Sequence, residues 1–129
     1  MGNLLEHFEY ILSGSDNMLA LLDKDFVYLR VNNTYLNTFG KTRESTIGYS
    51  VDEVLGKEYF EENIKPNAEN IQPWKYEICC NNFAVSHNNI PLYYEITYLP
   101  YFGQDHEVQG FVVNGLDITK RKKAEKALE

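Results

Sequence analysis

The stretch VQGFVVNGLDITKRKKAEKAL, Val108 to Leu128, changes character once and sharply. Its first half carries Val108, Phe111, Val112, Val113, Leu116 and Ile118, apolar residues that are mostly β-branched or aromatic and suit a pleated, half-buried surface. From Lys120 to Glu129 there is no β-branched residue, no Gly and no Pro, and the residues are strong helix formers. Asp117 and Thr119 stand at the switch, where short oxygen-bearing side chains cap the free N–H groups of a first helical turn. The reading is a buried strand joined directly to a charged helix that leaves the domain. With no linker between them, a change at the strand moves the helix.

The rest of the composition fits one domain. At 129 residues, 43% hydrophobic and 24% charged, the chain is long enough to bury a core and too apolar for disorder. Ten Tyr and seven Phe favour a sheet-rich fold. No apolar run approaches the roughly 20 residues of a membrane span, and the start MGNLLEHFEY has no basic segment of the signal-peptide kind. Net charge is −7, but residues 1–119 hold 7 basic and 17 acidic residues, while Lys120, Arg121, Lys122, Lys123 and Lys126 crowd the last ten positions. An acidic body argues against binding nucleic acid. The basic tail reads as a solvated helix face, with a nucleic-acid arm as the alternative. The two cysteines, Cys79 and Cys80, are adjacent, so on a strand they point to opposite faces and are badly placed to pair. A reducing, cytoplasmic setting is expected.

Working back from the final strand, Leu92 to Tyr98 and Trp74 to Cys80 both alternate. Leu92, Tyr94, Ile96 and Tyr98 share one face, as do Trp74, Tyr76, Ile78 and Cys80. His87-Asn88-Asn89 supplies turn chemistry between them; Pro100 is expected to stop the pairing, and Gly103-Gln104-Asp105-His106 makes the next turn. Upstream, helices are predicted over Thr42–Ile47 and Val51–Asn63. The second opens with a capping box, Ser50 to Glu53, and carries Val54, Leu55, Tyr59, Phe60 and Ile64 as its apolar stripe. Pro66 and Pro73 limit further helix. Asn32 or Asn33 caps a short helix with Tyr35, Leu36 and Phe39 that Gly40 ends. Met18–Leu22 and Phe26–Val31 form a hairpin around Asp23-Lys24-Asp25, and Asn3–Leu12 is an amphipathic helix. The class is α+β with an antiparallel sheet.

This ordered set resembles the PAS family. The matching parts are the hairpin followed by Val31-Asn32 and Phe39-Gly40, then Gly48-Tyr49-Ser50 with Glu53-Val54-Leu55, and lastly Asp117-Ile118-Thr119 before the charged helix. The resemblance runs from about Leu4 to Leu128. It implies a five-stranded sheet in the order 2-1-5-4-3 with short helices on one face enclosing a cavity. It also implies an N-terminal flanking helix (1–14), a core (15–119) and the start of a C-terminal signalling helix (120–129). The chain stops as that helix begins, which reads as a segment of a longer protein.

The candidate ligand pocket is the inner sheet face: Tyr76, Ile78, Cys80, Tyr94, Ile96 and Tyr98, with Phe111 and Val113 from the last strand. Both faces of that strand read as apolar; Asn114 and Leu116 are placed outward. Asp117 and Thr119 form the signal junction by resemblance. No catalytic motif is present: no nucleophile elbow, HExxH, P-loop or GxGxxG. Haem is unexpected, because the family takes its axial His from the helix before the third strand and Val51–Ile71 has none. Flavin is unexpected too, since the light-sensing branch carries a reactive Cys where this chain reads Val54-Leu55-Gly56-Lys57-Glu58, and a Gln at the position of Gly115. His7, His87 and His106 fall in a helix and two loops, and no metal site is expected. Covalent attachment at Cys80 stands beside the plainer reading of a small buried cysteine.

Two functions remain in view. One is a non-catalytic sensor input, a homodimer that relays a small ligand through the exit helix to a downstream histidine kinase or cyclic-dinucleotide enzyme. The other is a ligand-free dimerisation module with a filled core.

Overall fold

The computed structural model describes residues 17–69, 72–79 and 92–127. Five strands, β1 (Met18–Asp23), β2 (Tyr28–Val31), β3 (Trp74–Cys79), β4 (Tyr93–Phe102) and β5 (Val108–Asp117), make one antiparallel sheet in the order β2-β1-β5-β4-β3. Register carries the alternation of each strand onto a common face. Tyr76 pairs with Ile96, Trp74 with Tyr98, Tyr98 in turn with Val113, and Val113 with Ala20. Met18, Ala20, Leu22, Trp74, Tyr94, Ile96, Tyr98, Phe111 and Val113 therefore bury on the inner side, with Tyr76 and Ile78 packed against them. The outer side holds a smaller cluster of Leu19 and Leu21 with Leu29, Tyr101 and Val112. Leu116 faces outward and is exposed, as the sequence suggested.

The inner face is covered by α1 (Asn33–Phe39), α2 (Val51–Leu55), α3 (Lys57–Asn63) and α4 (Lys65–Ala68). Buried Asn32 caps α1 and ties it to β1. Its Oδ1 accepts from the N–H groups of Tyr35 (2.9 Å) and Leu19 (3.0 Å), and its amide donates to the Asn17 carbonyl (2.7 Å). Gly40 ends the helix in the left-handed region at φ 66°. The Ser50–Glu53 capping box forms, with the Ser50 N–H donating to the Glu53 carboxylate at 3.0 Å.

Four details depart from expectation. Thr42–Ile47 folds as turns, because Thr42 and Ser45 exchange side-chain and backbone hydrogen bonds that compete with a helical ladder. Val51–Asn63 splits at Gly56, whose φ of 103° no helix accepts. Pro66 does not limit helix but sits in the first turn of α4, where its missing N–H is no loss. Pro100 does not stop pairing: β4 runs through it opposite Phe111, and β3 begins at Trp74 opposite Tyr98, so Pro100 lies beyond β3, where β4 is an edge. The helix Asn3–Leu12, Cys80 and the turn His87-Asn88-Asn89 lie outside the described residues.

Candidate functional site: a phenol-lined interior and its exit helix

Tyrosines from five elements converge between the helices and the sheet. Tyr28 comes from β2, Tyr35 from α1, Tyr59 from α3, Tyr76 from β3 and Tyr98 from β4. The hydroxyls of Tyr28 and Tyr35 lie 2.5 Å apart and those of Tyr59 and Tyr76 2.7 Å apart, while the Tyr98 ring packs beside Tyr76 with centroids 6.1 Å apart. Ring faces fill the remaining wall. Phe26 stacks on Phe111 at 4.6 Å, Trp74 stacks on Tyr98 at 4.9 Å, and Phe60 meets Phe26 edge-on at 5.4 Å. The Trp74 indole N–H donates to the Asn63 carbonyl at 3.2 Å, fixing β3 against the end of α3.

Burial holds the phenols of Tyr28, Tyr35, Tyr76 and Tyr98 well above the usual tyrosine range, and neighbouring phenols push most of them further. At neutral pH this surface is uncharged: hydroxyls that donate or accept, set among aromatic faces. Such a lining binds and orients, and it holds no poised base or nucleophile among these groups.

The junction lies on the other side of β4. The Asp117 carboxylate accepts from the Thr119 N–H at 2.9 Å and opens α5 (Thr119–Ala127). Thr119 does something other than cap. Its hydroxyl accepts from the Tyr93 N–H at 3.0 Å, and the Ile118 N–H donates to the Tyr93 carbonyl at 2.8 Å, so the helix start is stitched to the first residue of β4. The helix does not simply leave the domain. It lies on the outer face of β3 and β4, where Arg121 meets Glu77 (3.6 Å) and Glu95 (3.5 Å) and Lys122 meets Glu77 (2.5 Å). The Lys122 hydrogen bond and charge lower the Glu77 carboxyl, and Glu77 raises the Lys122 ammonium in return.

A family model described as PAS fold matches residues 12–123. The chain belongs to the PAS family. Solved PAS structures share its shape at low identity. The PAS domain of Bordetella pertussis BvgS superposes with a TM-score of 0.64 at 21% identity, over 97% of this chain and 94% of that one. A sensory box sensor histidine kinase from Vibrio cholerae gives 0.62 at 15%, over 91% and 92%. The phage VqmA-DPO complex gives 0.70 at 13%, over 98% of this chain and 58% of that one. No curated protein sequence matches the chain.

Within this PAS domain, the inner-face residues singled out in the sequence come together: Tyr76, Ile78, Tyr94, Ile96, Tyr98, Phe111 and Val113 all join one core. Cys80 is outside the described residues, and Cys79 is exposed on the outer face. Sequence reasoning missed Tyr28, Tyr35, Tyr59, Phe26 and Trp74 as lining. Tyr35 and Tyr59 were visible as members of helical apolar stripes, and their hydroxyls were the unused signal. His106 occupies a turn with φ 61°; His7 and His87 are not among the described residues. Among the described residues no helix is long and apolar enough to cross a membrane, and no group of three or more His, Cys, Asp or Glu is placed to hold a metal ion.

Proposed function

We propose that this PAS domain is the sensory input of a multidomain signalling protein, and that it holds a small ligand in the phenol-lined interior and relays occupancy through α5. The observation that carries the reading is the placement of Tyr76 and Glu77. They are consecutive on β3 and point to opposite faces. Tyr76 bonds Tyr59 in the interior, and Glu77 bonds Lys122 of the exit helix. A shift of β3 on its inner side therefore reaches the helix across one residue. The helix leads into an output domain, a histidine kinase or a cyclic-dinucleotide enzyme, in a cytoplasmic homodimer. The likeness to the Vibrio cholerae sensor kinase agrees with the first of these, and the phage VqmA-DPO complex shares the fold.

Native mass spectrometry of freshly purified protein, repeated under denaturing conditions, tests this. A mass excess lost on denaturation supports a captured ligand. One that survives points to covalent attachment, with Cys80 the first residue to map. A dimer with no excess, which also takes up no ligand from a cell extract, removes the sensor reading and favours a ligand-free dimerisation module. That second reading draws on Leu99 and Leu116, both 42% exposed on the outer face beside one another's strands.

A further inference from the structure

Among the described residues, Phe26 is the one large apolar residue that the local backbone does not favour where it stands. The sequence places it at the start of the second strand. Instead it ends the β1–β2 turn in the left-handed region, at φ 63°, a conformation in which a bulky side chain is a genuine outlier. The turn around it is fully bonded. The Phe26 N–H donates to the Asp23 carbonyl at 3.0 Å, and the Asp23 carboxylate accepts from Asp25 and Val27. On the other side, the Phe26 carbonyl accepts from Val51 at 2.9 Å. This strained backbone thrusts the ring inward. It lies nearly parallel to Phe111, 11° between planes, with the edge of Phe60 against it. Trp74 meets the same Phe111 ring edge-on at 5.7 Å. Strain of this kind persists only where the surroundings impose it, and it collects at sites that bind or switch.

We propose that Phe26 occupies the seat of a planar ring, and that the ligand is a small, uncharged aromatic molecule that displaces Phe26 and stacks on Phe111 in its place. This rests on the sensory reading above and names its ligand class. The seat offers two ring faces and edges, which favour a flat ring over a saturated one. The nearby hydroxyls of Tyr28, Tyr35, Tyr76 and Tyr98 are neutral, and among the described residues no charged side chain is buried, so an ion entering there loses its hydration without a countercharge from them. Displacement returns Phe26 to an ordinary backbone conformation, which offsets part of the loss of its own stacking. It also gives the signal a route: the turn ends β1, β1 pairs with β5 from Asp23 opposite Gly110 to Met18 opposite Gly115, and β5 ends at Asp117.

Indole and cyclohexanol, titrated to millimolar concentration into the 15N-labelled chain, test the proposal. The single tryptophan gives an unambiguous indole N–H resonance at Trp74. Indole is expected to move the Trp74 N–H and the amides of residues 23–27 together, and to bind about two- to ten-fold more tightly than cyclohexanol, as expected for an aromatic seat. Phe26→Gly, which removes the ring and suits the left-handed backbone, is expected to bind indole about ten-fold more tightly still. Phe26→Leu, which keeps apolar bulk, covers the case of a poorly folded glycine variant and is expected to fall between the two. Indole binding that leaves residues 23–27 unmoved overturns the displacement. Cyclohexanol binding as well as indole overturns the ligand class. No indole binding to the wild type or to either variant overturns both, and native mass spectrometry separately decides whether the interior takes any ligand.

Discussion

Glu77 and Glu95 stand directly opposite each other across β3 and β4, on the outer face of the sheet. Facing like charges destabilise a strand pair. Here the exit helix supplies the countercharge: Arg121 bridges both carboxylates, Lys122 bonds Glu77, and Lys75 approaches Glu95 at 4.0 Å. Helix docking and strand pairing are thereby coupled, because undocking α5 restores the repulsion between β3 and β4.

Arg121→Ala removes the residue that touches both acids. Amide exchange over residues 120–127 is expected to accelerate about two- to five-fold, the scale of an exposed ion pair, with the sheet amides of β1 and β5 unchanged. Adding Glu95→Gln relieves the repulsion whether or not α5 is docked, so it is expected to restore protection to the β3–β4 pair without slowing exchange over residues 120–127. An unaltered exchange rate in Arg121→Ala sinks the coupling.

The same contacts set a pH and salt window. The Glu77 carboxyl is lowered from 4.5, so its contribution is present above that value and fades as pH falls through the lowered pKa. The Lys122 ammonium is raised from 10.5, so its contribution is present below that value and fades as pH rises through the raised pKa. Docking of α5 is therefore strongest in the neutral range, and salt near 1 M, where the screening length is about 3 Å, weakens it. Helical circular dichroism or exchange rates over α5 across pH and salt check this.

The buried phenols make the domain alkali-sensitive. Tyr28, Tyr35, Tyr76 and Tyr98 have raised folded pKa values, whereas the unfolded chain ionises near about pH 10. Stability is intact below that point and lost above it, since only the unfolded state releases these protons. Absorbance of tyrosinate is expected to appear in two stages, exposed phenols first and the buried set only with loss of the near-ultraviolet dichroism. Titration of all ten Tyr in one smooth step before unfolding contradicts this arrangement.

Tyr35→Phe leaves the Tyr28 hydroxyl without its partner in the core, a loss of about 1–3 kcal/mol. The double change Tyr28→Phe with Tyr35→Phe removes both members and is expected to cost less than the sum of the two single changes. Denaturant melts of the three variants measure the difference, and strict additivity counts against a direct pair.

At the junction, Asp117→Ala deletes the acceptor for the Thr119 N–H and is expected to cost the helix about 1 kcal/mol. Thr119→Val strikes the sheet as well, because the Tyr93 N–H loses its acceptor. Exchange at Tyr93 is therefore expected to rise in Thr119→Val and not in Asp117→Ala. Equal behaviour of the two variants removes the distinction drawn between capping and stitching.

The sequence by itself determined the elements and their faces. Alternation fixed which side of β3 and β4 turns inward, because side chains on a strand repeat every two residues whatever the partner, whereas β5 reads as apolar on both faces and only its pairing with β1 and β4 chose its inner side. Asn32, Gly40 and the Ser50–Glu53 box marked helix ends by chemistry that acts within a few residues. What the sequence could not carry was the meeting of distant parts. The Tyr28–Tyr35 and Tyr59–Tyr76 pairs, the ring of Phe26 on Phe111, and the fold-back of α5 onto Glu77 and Glu95 each join elements whose local patterns say nothing of one another. Pro100 shows the same limit in reverse. Its local tendency is to end a strand, and only the start of β3 at Trp74, opposite Tyr98, leaves an edge that accepts it. Local patterns are set by bonds and dihedrals along the chain, whereas the lining of the interior and the hold on the exit helix are set by which surfaces pack together.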